Sequence, residues 1–207
     1  MAVCIKDCIQ NLNLVIGCTI GCSYCYARNN VRRFHITDDF AKPEYFPNKL
    51  CRMDRARPQN ILLTGMSDFA EWNPSWREEI FAKMAENPQH QYLFLTKRPE
   101  NISFSSELDN AWFGVTVTSC KEKGRIATLR EQIRSRHYHV TFEPIFDEIG
   151  LVNLTGIEWI AGGRLFSQSL CGLYPRLQVL LRFIYEAIYR AYRTMGDLSG
   201  CEALACH

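Results

Sequence analysis

The stretch Cys18-Thr19-Ile20-Gly21-Cys22-Ser23-Tyr24-Cys25 carries three thiols at the spacing Cys-x3-Cys-x2-Cys, with an aromatic residue directly before the last. Three thiolates on one short loop can hold three corners of a four-iron cluster and leave the fourth iron without a protein ligand, whereas a fully ligated cluster takes four cysteines. An open iron can bind a substrate or cofactor, the logic that also separates catalytic from structural zinc sites. Two other readings use the same residues. Positions 18, 22 and 25 are also i, i+4 and i+7, one face of a helix, which would make the thiols core. Against that, Gly17 and Gly21 weaken a helix and Thr19 and Ile20 are β-branched. The second alternative is a zinc-stabilised binding module in which Cys4 or Cys8 supplies a fourth ligand, although zinc ribbons show two ligand pairs and the chain has no second Cys-x2-Cys.

Outward from this loop the pattern is one of short apolar runs. Asn11 to Ile16 reads as a strand that Gly17 turns into the cysteine loop, and Tyr26 to Arg33 allows a short helix. From His35 to Pro58 the chain is polar, and Pro43, Pro47 and Pro58 argue against regular structure there. Asn60 to Thr64 is a second strand. Asn73 can cap a helix with Pro74 at its first position and Trp76, Ile80, Phe81 and Met84 on one face, stopped by Asn87-Pro88. Gln91 to Thr96, Ala111 to Thr118, His139 to Phe142 and Ile157 to Ala161 are further strands, and a helix with basic outer faces is expected between Lys121 and Ser135. Strands alternating with potential helices predict an α/β fold with a parallel sheet, a partial (β/α)6 TIM-like barrel whose chemistry sits at the carboxyl ends of the strands.

Composition narrows the class. A chain of 207 residues, 47% of them hydrophobic, suits one compact domain, and a net charge of +2 gives no global reason to bind nucleic acid or a membrane surface. The N-terminus lacks a basic start followed by a long apolar run, and no uncharged apolar stretch is long enough to span a bilayer. A cytoplasmic protein with its ten cysteines reduced is the expectation.

Cys18-x3-Cys22-x-Tyr24-Cys25 resembles the signature of the radical S-adenosylmethionine (radical SAM) superfamily. Further along, Thr64-Gly-Met-Ser-Asp68, Leu95-Thr-Lys-Arg-Pro99, Trp112-Phe-Gly-Val-Thr116, Phe142-Glu-Pro144 and Ile157-Glu-Trp-Ile-Ala-Gly-Gly163 resemble strand-end motifs of phage Gp37/Gp68-like proteins. The likeness is closest to the radical SAM mobile pair protein B group, encoded on mobile elements beside a second radical SAM protein, mobile pair protein A. The resemblance implies a radical SAM core domain over residues 1–163. Its cofactors would be a [4Fe-4S] cluster on Cys18, Cys22 and Cys25, and S-adenosyl-L-methionine bound to the open iron. An electron from a donor such as flavodoxin or ferredoxin would cleave the sulfonium to a 5'-deoxyadenosyl radical that takes a hydrogen atom from a substrate. Tyr24 would lie near the adenine, and Gly65, Ser67 and Asp68 near the methionine end, with Thr64-Gly65-Met66 standing where the superfamily commonly has Gly-Gly-Glu.

Thr116, Thr118 and Glu143 are polar groups at strand ends of the expected site, and Gly162-Gly163 would let a nucleoside approach the backbone; an ordinary turn or cap role fits each of them equally. Lys97-Arg98 could neutralise a substrate anion or simply be an exposed pair of charges. The basic run Lys121 to Arg136 reads as a solvated outer helix, with contact to nucleic-acid phosphates kept as an alternative. Beyond Gly163 the likeness stops. Residues 164–207 are expected to form an atypical C-terminal helix and tail that completes or caps the barrel, with Arg182, Glu186, Arg190 and Arg193 on one stripe, and the abrupt change suggests a frameshifted or recombined end. A degenerate subunit that keeps the cluster and serves its partner protein is the third functional reading.

Overall fold

The computed structural model describes residues 9–147 and 149–162. Its centre is a six-stranded, all-parallel sheet made of β1 (Ile9–Asn11), β4 (Asn60–Leu62), β5 (Gln91–Thr96), β7 (Ala111–Thr116), β9 (His137–Phe142) and β10 (Trp159–Gly162), hydrogen-bonded in that order. The sheet curls into a half-barrel, a partial α/β barrel as the strand pattern predicts. Small antiparallel β2 (Val15–Ile16) and β3 (Glu44–Tyr45) pair with each other, as do parallel β6 (Phe104–Ser105) and β8 (Ile133–Arg134). Among the described residues no helix is long and apolar enough to cross a membrane. The expected helix and tail over 164–207, together with Gly163, Cys4 and Cys8, lie outside the described residues.

Among the described residues there are three α-helices: α1 (Tyr26–Phe34), α2 (Pro74–Glu86) and α3 (Arg125–Gln132). Asn73 caps α2 by accepting from the Ser75 amide at 3.0 Å, Pro74 opens its first turn, and Ile80 and Met84 are buried. While α1 buries Ala27 and Val31 in a separate small cluster with Ile16 and Met66, the main core lies between α2, α3 and the outer sheet face. At its middle Phe69, 1% exposed, touches Phe94 and Phe113 at 5.0 and 5.2 Å between ring centroids, and Phe81 stacks on Phe94 at 5.2 Å.

Three elements differ from the sequence reading. The apolar run before Gly17 is not one strand. Its sheet part is β1, and after Leu12 the chain leaves the sheet so that Val15 and Ile16 pair with Tyr45 and Glu44. Side-chain alternation through Leu12 and Leu14 still satisfies the core, which is why hydropathy merges the two strands. The polar excursion holds β3 and a 3-10 helix over Pro47–Met53, where Pro47 occupies the first turn and so does not break it. The helix expected to run to Ser135 stops at Gln132, and buried Ile133 belongs to β8.

On the inner face, β7 and β9 are in a register that sets Gly114 opposite His139. The His139 ring lies flat over Gly114 and its Nε2–H donates to the Phe94 carbonyl at 3.0 Å; burial pushes its pKa down to about 4, so the ring is neutral. Toward the amino ends Trp112 stacks on His137 at 4.4 Å and donates to Gln91 at 2.8 Å, which fills that end of the half-barrel. A Cβ on Gly114 would stand 2.5 Å from two ring atoms of His139. Gly114→Ala is therefore expected to destabilise the protein by about 1–3 kcal/mol in urea unfolding, whereas Gly124→Ala, whose Cβ would meet nothing within 4 Å, is expected to change stability by less than about 0.5 kcal/mol.

Candidate functional site

The cysteine loop sits at the carboxyl rim of the half-barrel. It is non-helical from Cys18 to Cys25, which removes the core-helix reading of the three thiols. Gly17 begins it at φ +125, a conformation that favours glycine, and a Cβ there would lie 2.7 Å from Pro43 Cα. The Gly17 amide donates to the Met66 carbonyl at 3.0 Å, and a parallel bridge to Ser67 draws the loop against the chain leaving β4. At the other end Cys25 caps α1, its sulfur accepting from the Arg28 amide at 3.4 Å. Tyr26, the first residue of α1, donates from its hydroxyl to the Gly65 carbonyl at 2.5 Å. Loop, helix and β4 are thereby joined.

A buried carboxylate fixes the neighbouring strand end. Asp68, 4% exposed, accepts from Thr96 Oγ1 at 2.6 Å and Ala70 N at 3.0 Å through one oxygen, and from Lys97 N at 2.7 Å through the other. Burial pushes this carboxyl up, and the three hydrogen bonds oppose that shift. From the backbone so held, two cations reach the cysteine loop at different points. Lys97 Nζ donates to Tyr24 Oη at 3.0 Å and lies 3.5 Å from Cys22 Sγ. Arg98 pairs with Glu71 at 3.5 Å and donates to Thr19 Oγ1 at 3.2 Å, while the Thr19 amide donates to Glu71 at 3.0 Å. The pair is thus not a free surface charge. Desolvation pulls against the Lys97 charge, but the Tyr24 hydroxyl and Cys22 sulfur outweigh it and hold Lys97 above its usual range.

The other expected site residues have mixed placements. Tyr24 is half-buried between Lys97 and Phe146, its ring 5.0 Å from the phenylalanine. Gly65 leaves room for two amides, since a Cβ there would stand 2.8 Å from Asn11 Oδ1 and 2.9 Å from Asn13 Oδ1, the latter a buried atom without a partner. Ser67 accepts from Trp72 Nε1 at 2.9 Å, and Thr64 Oγ1 accepts from the Leu95 amide at 2.8 Å, a local structural use of both hydroxyls. Thr118 donates to Glu122 at 2.6 Å and Thr116 is buried with its carbonyl accepting from Arg125, so both serve the turn into α3. Glu143 is exposed. Gly162 ends β10, and among the described residues nothing lies within 4 Å of its would-be Cβ. Sequence reasoning overlooked Glu71, Asn11, Asn13 and Tyr26. Alternation carries a signal for the two asparagines, which interrupt a run whose other members, Leu12 and Leu14, are core.

As donors the loop thiols suit an iron-sulfur cluster in kind, since Cys18, Cys22 and Cys25 are free and partly exposed. Among the described residues no three His, Cys, Asp or Glu side chains converge as they would around a single metal ion. The three thiols differ in their surroundings. Burial, then Glu71 and Asp68, push the Cys18 thiol up to about 12, so without metal it keeps its proton. Because the folded form binds that proton more tightly, the metal-free protein is expected to lose stability as pH rises from the ordinary thiol range toward 12. Cys18 should also be alkylated roughly a thousandfold more slowly at pH 8 in the folded metal-free protein than in the urea-unfolded chain. Glu71→Gln is expected to narrow that gap, as read by mass spectrometry of iodoacetamide-treated peptides.

No curated protein and no solved structure matches the chain. Residues 3–165 match the family described as Protein of unknown function (DUF5131). That match covers most of the 207 residues, and the chain belongs to the DUF5131 family.

Proposed function

We propose that this protein is a radical SAM enzyme that holds a [4Fe-4S] cluster on Cys18, Cys22 and Cys25 and takes S-adenosyl-L-methionine as its second cofactor. The observation that carries the reading is the setting of three free, partly exposed thiols on one non-helical loop at the carboxyl rim of a parallel half-barrel. Strand carboxyl ends are where barrels of this kind assemble reacting groups from several loops. A cluster bound there would supply the electron that cleaves the sulfonium and frees a 5'-deoxyadenosyl radical to abstract hydrogen from a substrate.

The chain's own residues would bind, orient and shield. Cys25 is both a ligand and the cap of α1, so ligation and helix entry share one residue. Tyr24 and Phe146 offer aromatic surface beside the loop for a nucleoside, and Gly162 at the end of β10 has no side chain of its own to obstruct one. Lys97 would balance the negative charge of ligated thiolates. The same reading calls for a one-electron donor of the flavodoxin or ferredoxin kind and a cytoplasmic, reducing setting. A second radical SAM protein as partner is the natural extension if this chain needs one for turnover.

Anaerobic reconstitution with iron and sulfide is the test. The expected result is a brown protein whose reduced form gives an electron paramagnetic resonance signal that changes on adding SAM, with 5'-deoxyadenosine formed under reduction. Cys22→Ala is expected to lose the colour and at least 90% of the product. A colourless protein that retains zinc instead would support the binding-module reading. A SAM-responsive cluster without 5'-deoxyadenosine would point to the subunit that works only with its partner.

A further inference from the structure

Beyond balancing charge, Lys97 is placed to act on one loop sulfur in particular. It is half-buried and its Nζ lies 3.5 Å from Cys22 Sγ. The Tyr24 hydroxyl accepts from the same nitrogen at 3.0 Å, and the ammonium stands 4.7 Å from the centroid of the Tyr24 ring. Its backbone cannot drift, because Asp68 holds the Lys97 amide at 2.7 Å and the preceding Thr96 hydroxyl at 2.6 Å. The other cations near the loop are directed elsewhere. Arg28 donates to the Cys22 carbonyl and Arg98 to Thr19 and Glu71. Among the described residues Lys97 is the cationic side chain hydrogen-bonded to a loop sulfur.

We infer that Lys97 tunes the reduction potential of the cluster by placing an N–H donor and a positive charge on the Cys22 sulfur. The inference rests on the proposed cluster. Hydrogen bonds to ligand sulfurs and net charge are among the levers that set such potentials, and groups beyond the ligands adjust a metal centre through the ligand atoms. Reduction adds one negative charge to the cluster. A fixed cation in a partly desolvated position stabilises that charge more than bulk water does, so the reduced form is favoured and the potential raised. Lys97 is in this sense a positioning residue acting through Cys22.

The experiment is a mediated redox titration of reconstituted protein without SAM, followed by electron paramagnetic resonance, with iron content measured on every sample. Leaving SAM out matters, because a lysine that only held the cofactor's carboxylate would alter SAM affinity and leave this potential unmoved. In Lys97→Met, which keeps the packing stem, the ratio of reduced to oxidised cluster at a fixed poise is expected to fall at least tenfold. For one electron that is a midpoint about 59 mV lower. Lys97→Arg is expected to restore the ratio to within about threefold of the wild type, and Lys97→Gln, a donor without charge, to fall between. If the Met variant takes up too little iron to titrate, the Gln variant carries the comparison. Equal potentials in loaded wild-type and variant proteins would overturn the inference alone and leave Lys97 a packing partner of Tyr24. A wild-type protein that takes up no iron would overturn the cluster reading, and the inference with it.

Discussion

The carboxylate of Asp68 is the constraint on which the rest of the site depends. It is almost wholly buried, and it gathers a hydroxyl and two backbone amides from both sides of the junction between β4 and β5. A buried charge is tolerated only where donors surround it, and here the donors are the chain segments that must be held in place. Three consequences follow from one group. The 3-10 turn Phe69–Glu71 starts at Asp68, which brings Phe69 into the core and Glu71 under the cysteine loop. The end of β5 is pinned, which gives Lys97 and Arg98 fixed origins. The loop is then gripped at Thr19 through Glu71 and Arg98, and at Cys22 and Tyr24 through Lys97. Rigid positioning of the cysteine loop thus begins in a residue that touches none of the thiols by hydrogen bond.

Much of the fold was legible because its strands are short and buried. Gln91–Thr96 is recoverable from hydropathy alone, since it packs on both faces and admits no polar break between Tyr92 and Leu95. The α2 boundaries follow from Asn73, Pro74 and the Asn87-Pro88 stop, which act locally. What hydropathy could not separate is burial in the sheet from burial beside it. Leu12 and Leu14 are core, yet the hydrogen bonds of Val15 and Ile16 go to β3, and only the partner 30 residues away decides this. The same holds for Ile133, apolar and at helical spacing from Leu129, but claimed by pairing with Phe104.

The site was legible as a list of strand ends and much less so as a set of roles. Cys18, Cys22 and Cys25 lie on one loop because their spacing is local. Ser67, Asp68 and Thr118 have their polar atoms engaged by Trp72, Thr96 and Glu122, and no sequence rule separates a polar residue that faces a ligand from one that caps a turn. From sequence Lys97-Arg98 reads either as a counter-charge for a substrate anion or as an exposed charge pair, because burial of a lysine needs a partner from another element, and here the partners of Lys97 lie more than 70 residues earlier in the chain. Glu71 gave no signal at all. An acidic residue in a short turn is ordinary until the loop it binds is known.

The grip on the loop is electrically lopsided, and this has a physical use. Cys18 faces Glu71 and Asp68 and keeps its proton, while Cys22 faces Lys97. The two ends of the loop therefore sit in opposite local fields, carboxylates on the Cys18 side and the Lys97 ammonium on the Cys22 side. Glu71 and Arg98 hold the loop at Thr19 and Lys97 holds it at Cys22 and Tyr24, so its shape is fixed from both sides by side chains that start on the same pinned backbone.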